Sequence, residues 1–145
     1  MPNVTGVRMW VRRVLLAFPV AALALLSGYV VANWNRLPNT VASHFDTAGV
    51  ANGWTSKDSF ASGALLATAL LVVLIYVAAS LSIVTGLSPA SFSAGFLYFI
   101  LAIISTAFWL VLHANVHHVT LASTEVLPGA VCGLVCALLA VWSLR

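Results

Sequence analysis

The sequence predicts an all-α fold: an integral membrane four-helix bundle with both termini on the cytoplasmic side. Three observations carry this reading. Of the 145 residues, 62% are apolar and only 6% are charged, whereas about a quarter of a soluble domain is charged. Between Ser59 and Thr124 there is no Lys, Arg, Asp or Glu, and no soluble surface of this size leaves such a stretch uncharged. Apolar runs recur four times, which a single buried core helix does not explain.

The basic residues set the orientation. Arg8, Arg12 and Arg13 precede the first run and Arg145 closes the chain, against Arg36 and Lys57 in the first polar connector. That asymmetry follows the positive-inside rule and places connectors 33–58 and 113–125 outside. The net charge of +3 is thus a membrane-orientation signal, and no nucleic-acid partner is expected. Lipids are the expected surroundings of all four helices.

The first span covers about 14–32, roughly the thickness of a bilayer core at about 1.5 Å per residue. It reads as a retained signal anchor, with Pro19 inside it and Tyr29 and Trp34 at the outer interface. In the connector 33–58, Pro38-Asn39-Thr40 reads as a helix start and Val41 to Phe45 as one helical turn. Gly49 would end that turn, and Asn52-Gly53 reads as a tight turn. Thr55 and Asp58 have capping-box spacing, so the second helix should begin near Ser56.

The second span covers about 60–86 and the third about 90–112. Gly86 suits a C-terminal cap and Ser88-Pro89 an N-terminal start, which implies a tight antiparallel pair. The fourth span covers about 126–144, with Pro128 in its first turn. Gly129, Gly133 and Ala137 recur every four residues, and Ala24, Gly28 and Ala32 form a similar set in span 1. Such small-residue faces let another helix approach closely, within the bundle or from a membrane-protein partner. Cys132 and Cys136, the only cysteines, read as small packing residues.

No nucleotide loop, nucleophile elbow or zinc-protease motif is present, and three acidic residues leave little for paired-carboxylate chemistry. An enzyme is not the expected class. The remaining chemistry is imidazole. His113 and His117 have i, i+4 spacing, so a helical extension of span 3 would aim both rings one way. With His118, His44 and Glu125 on the same membrane face, they form a candidate Zn or Cu site. The plain alternative is a set of solvated interfacial histidines. For the first connector it is a small apolar cap of Leu37, Val41, Phe45 and Trp54, with His44 in a local hydrogen bond.

The residues Leu37-Pro38, Val41, His44-Phe45, Gly49, Asn52-Gly53-Trp54 and Ser56-Lys57 resemble a signature loop. It is that of the N-terminal multi-pass membrane domain, of unknown biochemical function, in the SdpI-type immunity-protein family. The likeness covers about twenty residues, with Asn52 in place of an acidic residue before Gly-Trp. It implies a bacterial plasma-membrane protein connected with immunity to a secreted peptide toxin. The outer loop would then recognise a peptide or envelope ligand through His44, Phe45, Asp46, Gly49, Asn52, Trp54 and Lys57. Two other classes stand beside it. One is an accessory subunit of a larger membrane complex, the other a histidine-based metal-binding protein or enzyme.

Overall fold

Helix α1 (Val4–Asn33) starts before the apolar run and carries Pro19 within it. Proline has no N–H, so the Leu15 carbonyl four residues back loses its intrahelical donor. Other helices replace it. The buried Tyr98 hydroxyl donates to the Leu15 carbonyl at 2.9 Å, and the Tyr76 hydroxyl donates to Leu16 O. An unsatisfied carbonyl in an apolar interior costs several kcal/mol, so these two tyrosines locate helices α2 (Lys57–Thr85) and α3 (Ser88–His117) against the proline segment.

The computed structural model describes residues 4–85, 88–121 and 127–144. After α1 come a short 3-10 turn (Trp34–Arg36), strand β1 (Thr40–Phe45), strand β2 (Ala51–Ser56) and helices α2 (Lys57–Thr85), α3 (Ser88–His117) and α4 (Leu127–Leu144). Two apolar clusters show how they stack. Leu15, Ile75, Tyr98, Leu101 and Ala140 meet at the end of the bundle that holds the start of α1 and the end of α4. Leu26, Val30, Leu37, Val41, Ala61, Leu112 and Val116 meet at the other end, under the hairpin. The helices therefore alternate in direction, and both terminal helix ends lie on one side.

Segments Arg13–Arg36, Lys57–Leu81 and Ser93–His117 are long and apolar enough to cross a membrane. In α4 the apolar part among the described residues is shorter, Ala130–Trp142. Gly133 lies so close to α3 that a Cβ there would fall 3.0 Å from Phe99 O and 2.9 Å from Ala102 Cβ. The α4 small-residue face thus serves close packing within the bundle, whereas nothing lies within 4 Å of such an atom at Gly28. Cys136 packs on the first cluster, and Cys132 is exposed.

The all-α expectation is corrected in the first connector. The segment expected as a helical turn is β1, and it pairs antiparallel with β2. Thr40, Val41, His44 and Phe45 suit a half-buried pleated surface better than one isolated turn of helix. Asn52-Gly53 lies inside β2 rather than at the turn, which falls at 46–50. Four bonds build it: Asp46 Oδ1 accepts from the N–H of Ala48 and of Val50, both at 2.9 Å, Asp46 N–H donates to Val50 O, and Gly49 N–H donates to Asp46 O.

Two boundaries also move. Ser56, not Thr55, caps α2: its Oγ accepts from Ser59 N–H at 3.2 Å and donates to Ser59 Oγ at 2.8 Å. Helix α3 runs to His117, one turn beyond the expected end, which takes His113 and His117 out of the loop and onto the helix. Only two positions separate Thr85 from Ser88, in keeping with the tight connection expected there, although the Gly86 cap itself lies outside the described residues.

Candidate functional site: a cavity between the hairpin and the end of α3

Asn115 fixes the hairpin. Its Oδ1 accepts from Ala42 N–H at 2.8 Å, and its Nδ2 donates to Ala42 O at 2.9 Å and to Val111 O at 2.8 Å. A buried carboxamide must satisfy one acceptor and two donors, and Asn115 does so by treating β1 as a neighbouring strand. Val41, the next residue along, points the other way into the apolar cluster. One strand is thereby held by hydrogen bonds along its edge and by apolar packing on one face.

A second tie lies at the turn. Gly49 has φ +77°, and a Cβ there would sit 1.7 Å from Leu121 O. Only glycine permits both that backbone angle and that approach. Leu121 N–H in turn donates to Gly49 O at 3.4 Å. The segments expected as two outer connectors therefore meet at one end of the bundle, and His44, His113, His117 and His118 share that end.

Between the hairpin and α3 lies a cavity of about 390 Å³. Phe45, Val50, Trp54 and Val119 supply its apolar walls, and Asn115 and His118 its polar side. Trp54 is 63% exposed and Val50 54%. His118 ends α3 in a left-handed conformation, φ 55°, where glycine is the usual residue. Val119 N–H bonds to Ala114 O at 3.2 Å, completing a Schellman-type cap. Holding a non-glycine residue there costs about 1–2 kcal/mol. Such strain is typical of functional positions.

Residues 20–70 match the model of a domain of unknown function, DUF1648. The matched DUF1648 segment covers just over a third of the chain: the second half of α1, the whole hairpin and the first half of α2. It contains every residue of the loop likeness described above. No significant match to a curated protein or a solved structure is found. The cavity has one wall from the DUF1648 segment and the other from α3 and the residues after it.

Of the seven candidate ligand residues, Phe45, Gly49 and Trp54 line the cavity. His44 and Asn52 face each other instead, Nδ1 to Oδ1 at 3.2 Å, as the plain reading of His44 anticipates. Asp46 builds the turn. Lys57 donates its N–H to Asn39 O and holds its ammonium 5.0 Å from the centre of the Trp34 ring, a cation–π contact. Leu37 and Val41 are core.

The candidate metal residues divide as well. His113 stacks on Trp109, with ring centres 5.1 Å apart, and lies 4.3 Å from the His117 ring. Tyr29 OH lies 3.2 Å from His113 Nδ1. Among the described residues, no three His, Cys, Asp or Glu side chains converge on one point, and Glu125 lies outside them. Neither the role of Asn115 nor the backbone role of His118 is evident from residue type alone. The legible signal for Asn115 was a lone carboxamide inside the apolar run Val-Leu-His-Ala-Asn-Val.

Proposed function

We propose that this chain is a multi-pass bacterial plasma-membrane protein of the SdpI type with both termini inside. In this reading the hairpin and the end of α3 face outward and recognise a peptide or envelope ligand in the cavity they enclose. The observation that carries it is the cavity itself: two aromatic side chains and two strained or buried polar residues, Asn115 and His118, converge there. Few, well-placed polar groups in an apolar pocket are the usual form of a ligand site. The basic flanks Arg8, Arg12 and Arg13 support the orientation, and the DUF1648 match over the hairpin supports the family likeness.

Within this reading Phe45, Gly49 and Trp54 face the ligand, while His44, Asp46, Asn52 and Lys57 shape the hairpin that presents them. The test is protection of cells. Expression should raise survival against a membrane-active peptide, and Trp54→Ala should abolish the gain at unchanged membrane levels. Equal protection by wild type and Trp54→Ala would contradict the reading.

A second reading rests on the His113–His117 pair. Two imidazoles one helical turn apart, with Tyr29 holding the first by its Nδ1, form half of a Zn or Cu coordination shell. His118, His44 or Glu125 would have to complete it. Elemental analysis and titration of purified protein decide this; no Zn or Cu at useful stoichiometry ends it.

A further inference from the structure

The two edges of the hairpin are treated differently. Ala42 turns both its N–H and its C=O away from β2, because both bond to Asn115. In an antiparallel ladder, facing residues either exchange both bonds or turn both groups outward. Ala42 faces Trp54, so Trp54 turns its N–H and C=O to the far edge of β2.

A neighbouring bond confirms the phase. Lys57 N–H donates to Asn39 O at 3.0 Å, which makes Asn39–Lys57 a bonding pair. Thr40–Ser56 is then outward-facing, Val41–Thr55 bonding and Ala42–Trp54 outward-facing again. The register is regular across these three pairs, and its first irregularity comes after Ala42. Ser56 N–H therefore joins the two Trp54 groups along the outer edge of β2.

Among the described residues the sheet has two strands and no segment pairs with that edge. An open strand edge is normally blunted by charge or proline, yet Ala51–Ser56 contains neither. Asn115 stands in for one residue of a third strand on the β1 side. No described residue does so on the β2 side, where Trp54 and Ala51 also form part of the cavity wall.

We propose that the outer edge of β2 takes up an extended peptide as a third strand. The peptide backbone would bond to Trp54 N–H, Trp54 C=O and Ser56 N–H, and one of its side chains would pack on the Trp54 ring at the rim of the cavity. A peptide is the fitting occupant. A donor–acceptor pair and a second donor two residues further, about 7 Å away along a strand, complement another backbone and no lipid headgroup. Strand addition of this kind takes affinity from the main chain and specificity from alternate side chains. The inference rests on the peptide reading of the cavity and gives it a binding mode.

The probe is a displayed library of random octapeptides, selected against the full chain in lipid nanodiscs. Selected peptides are resynthesised with one N-methyl group at a time, and exchange of the Trp54 amide is followed with and without peptide. The expected result is a loss of about tenfold or more on methylation at alternate residues, little change at those between, and a protected Trp54 amide. Peptides that tolerate methylation everywhere would overturn strand addition while leaving peptide recognition intact. An absence of any selected peptide overturns both. Cross-linking between copies through Trp54→Cys, in a chain lacking Cys132 and Cys136, would show a second copy on this edge and overturn the proposal.

Discussion

Asn115 and Ala42 lie 73 positions apart, yet the carboxamide of one and the peptide group of the other share two hydrogen bonds of 2.8 and 2.9 Å. This pairing joins the hairpin to the third long helix beside the cavity that both line. Asn115→Ala leaves a buried N–H and a buried C=O without partners, at about 1–3 kcal/mol each. Unfolding in mild detergent should register that loss. Amide exchange should rise across 40–56 and stay slow in α2, because the damage is local. Unchanged exchange in β1 would show that Asn115 does not hold the hairpin.

Gly49 provides the second tie. Gly49→Ala places a methyl group on the Leu121 carbonyl and forces alanine into a left-handed backbone, the latter alone worth about 1–2 kcal/mol. The variant should lower stability by at least that amount and separate the hairpin turn from the residues after α3. A spin-label distance between Thr47 and Val119 should lengthen in Gly49→Ala. A constant distance would contradict the contact.

Tyr98 and Pro19 should be energetically coupled. Tyr98→Phe removes the donor to the carbonyl that Pro19 freed, a loss of about 0.5–2 kcal/mol in an apolar helix bundle. Pro19→Ala restores an N–H four residues on, so in its presence Tyr98→Phe should cost much less. A double-mutant cycle measures the difference. Additive effects would mean that the tyrosine is held for its packing alone.

His118 separates strain from use. His118→Gly relieves the left-handed backbone and should raise stability by about 1 kcal/mol, while it strips the imidazole from the cavity. Under the proposed function, protection falls even though the protein becomes more stable. A stabilised variant with full protection would assign His118 to the helix end only.

The helices were legible because their signal is long. Runs such as 60–86 repeat the same choice at every position, and tertiary packing rarely overrides that. The hairpin is not legible locally because Val41 to Phe45 is too short for periodicity to separate one helical turn from a strand. Its partner strand, with Asn52-Gly53 inside, looked like a turn by composition. What decides the matter is remote: Asn115 offers β1 a mate from 73 positions away, and no local pattern encodes that. Phe45 and Trp54, which line the cavity, stand out in the sequence because large aromatics in a polar connector are conspicuous. His118 stands out in the sequence for its imidazole, whereas its backbone angle depends on where α3 stops. Asp46 and Lys57 stand out for their charges, which serve the turn and the contact with Trp34.

The reading of function depends on the hairpin lying outside the cell. Thr47, exposed at the tip of the turn, reports this directly when replaced by cysteine in a chain lacking Cys132 and Cys136. A membrane-impermeant maleimide should label Thr47→Cys fully in intact cells or spheroplasts. Labelling that appears only after the membrane is permeabilised would put the cavity and the open strand edge in the cytosol, and would contradict the account.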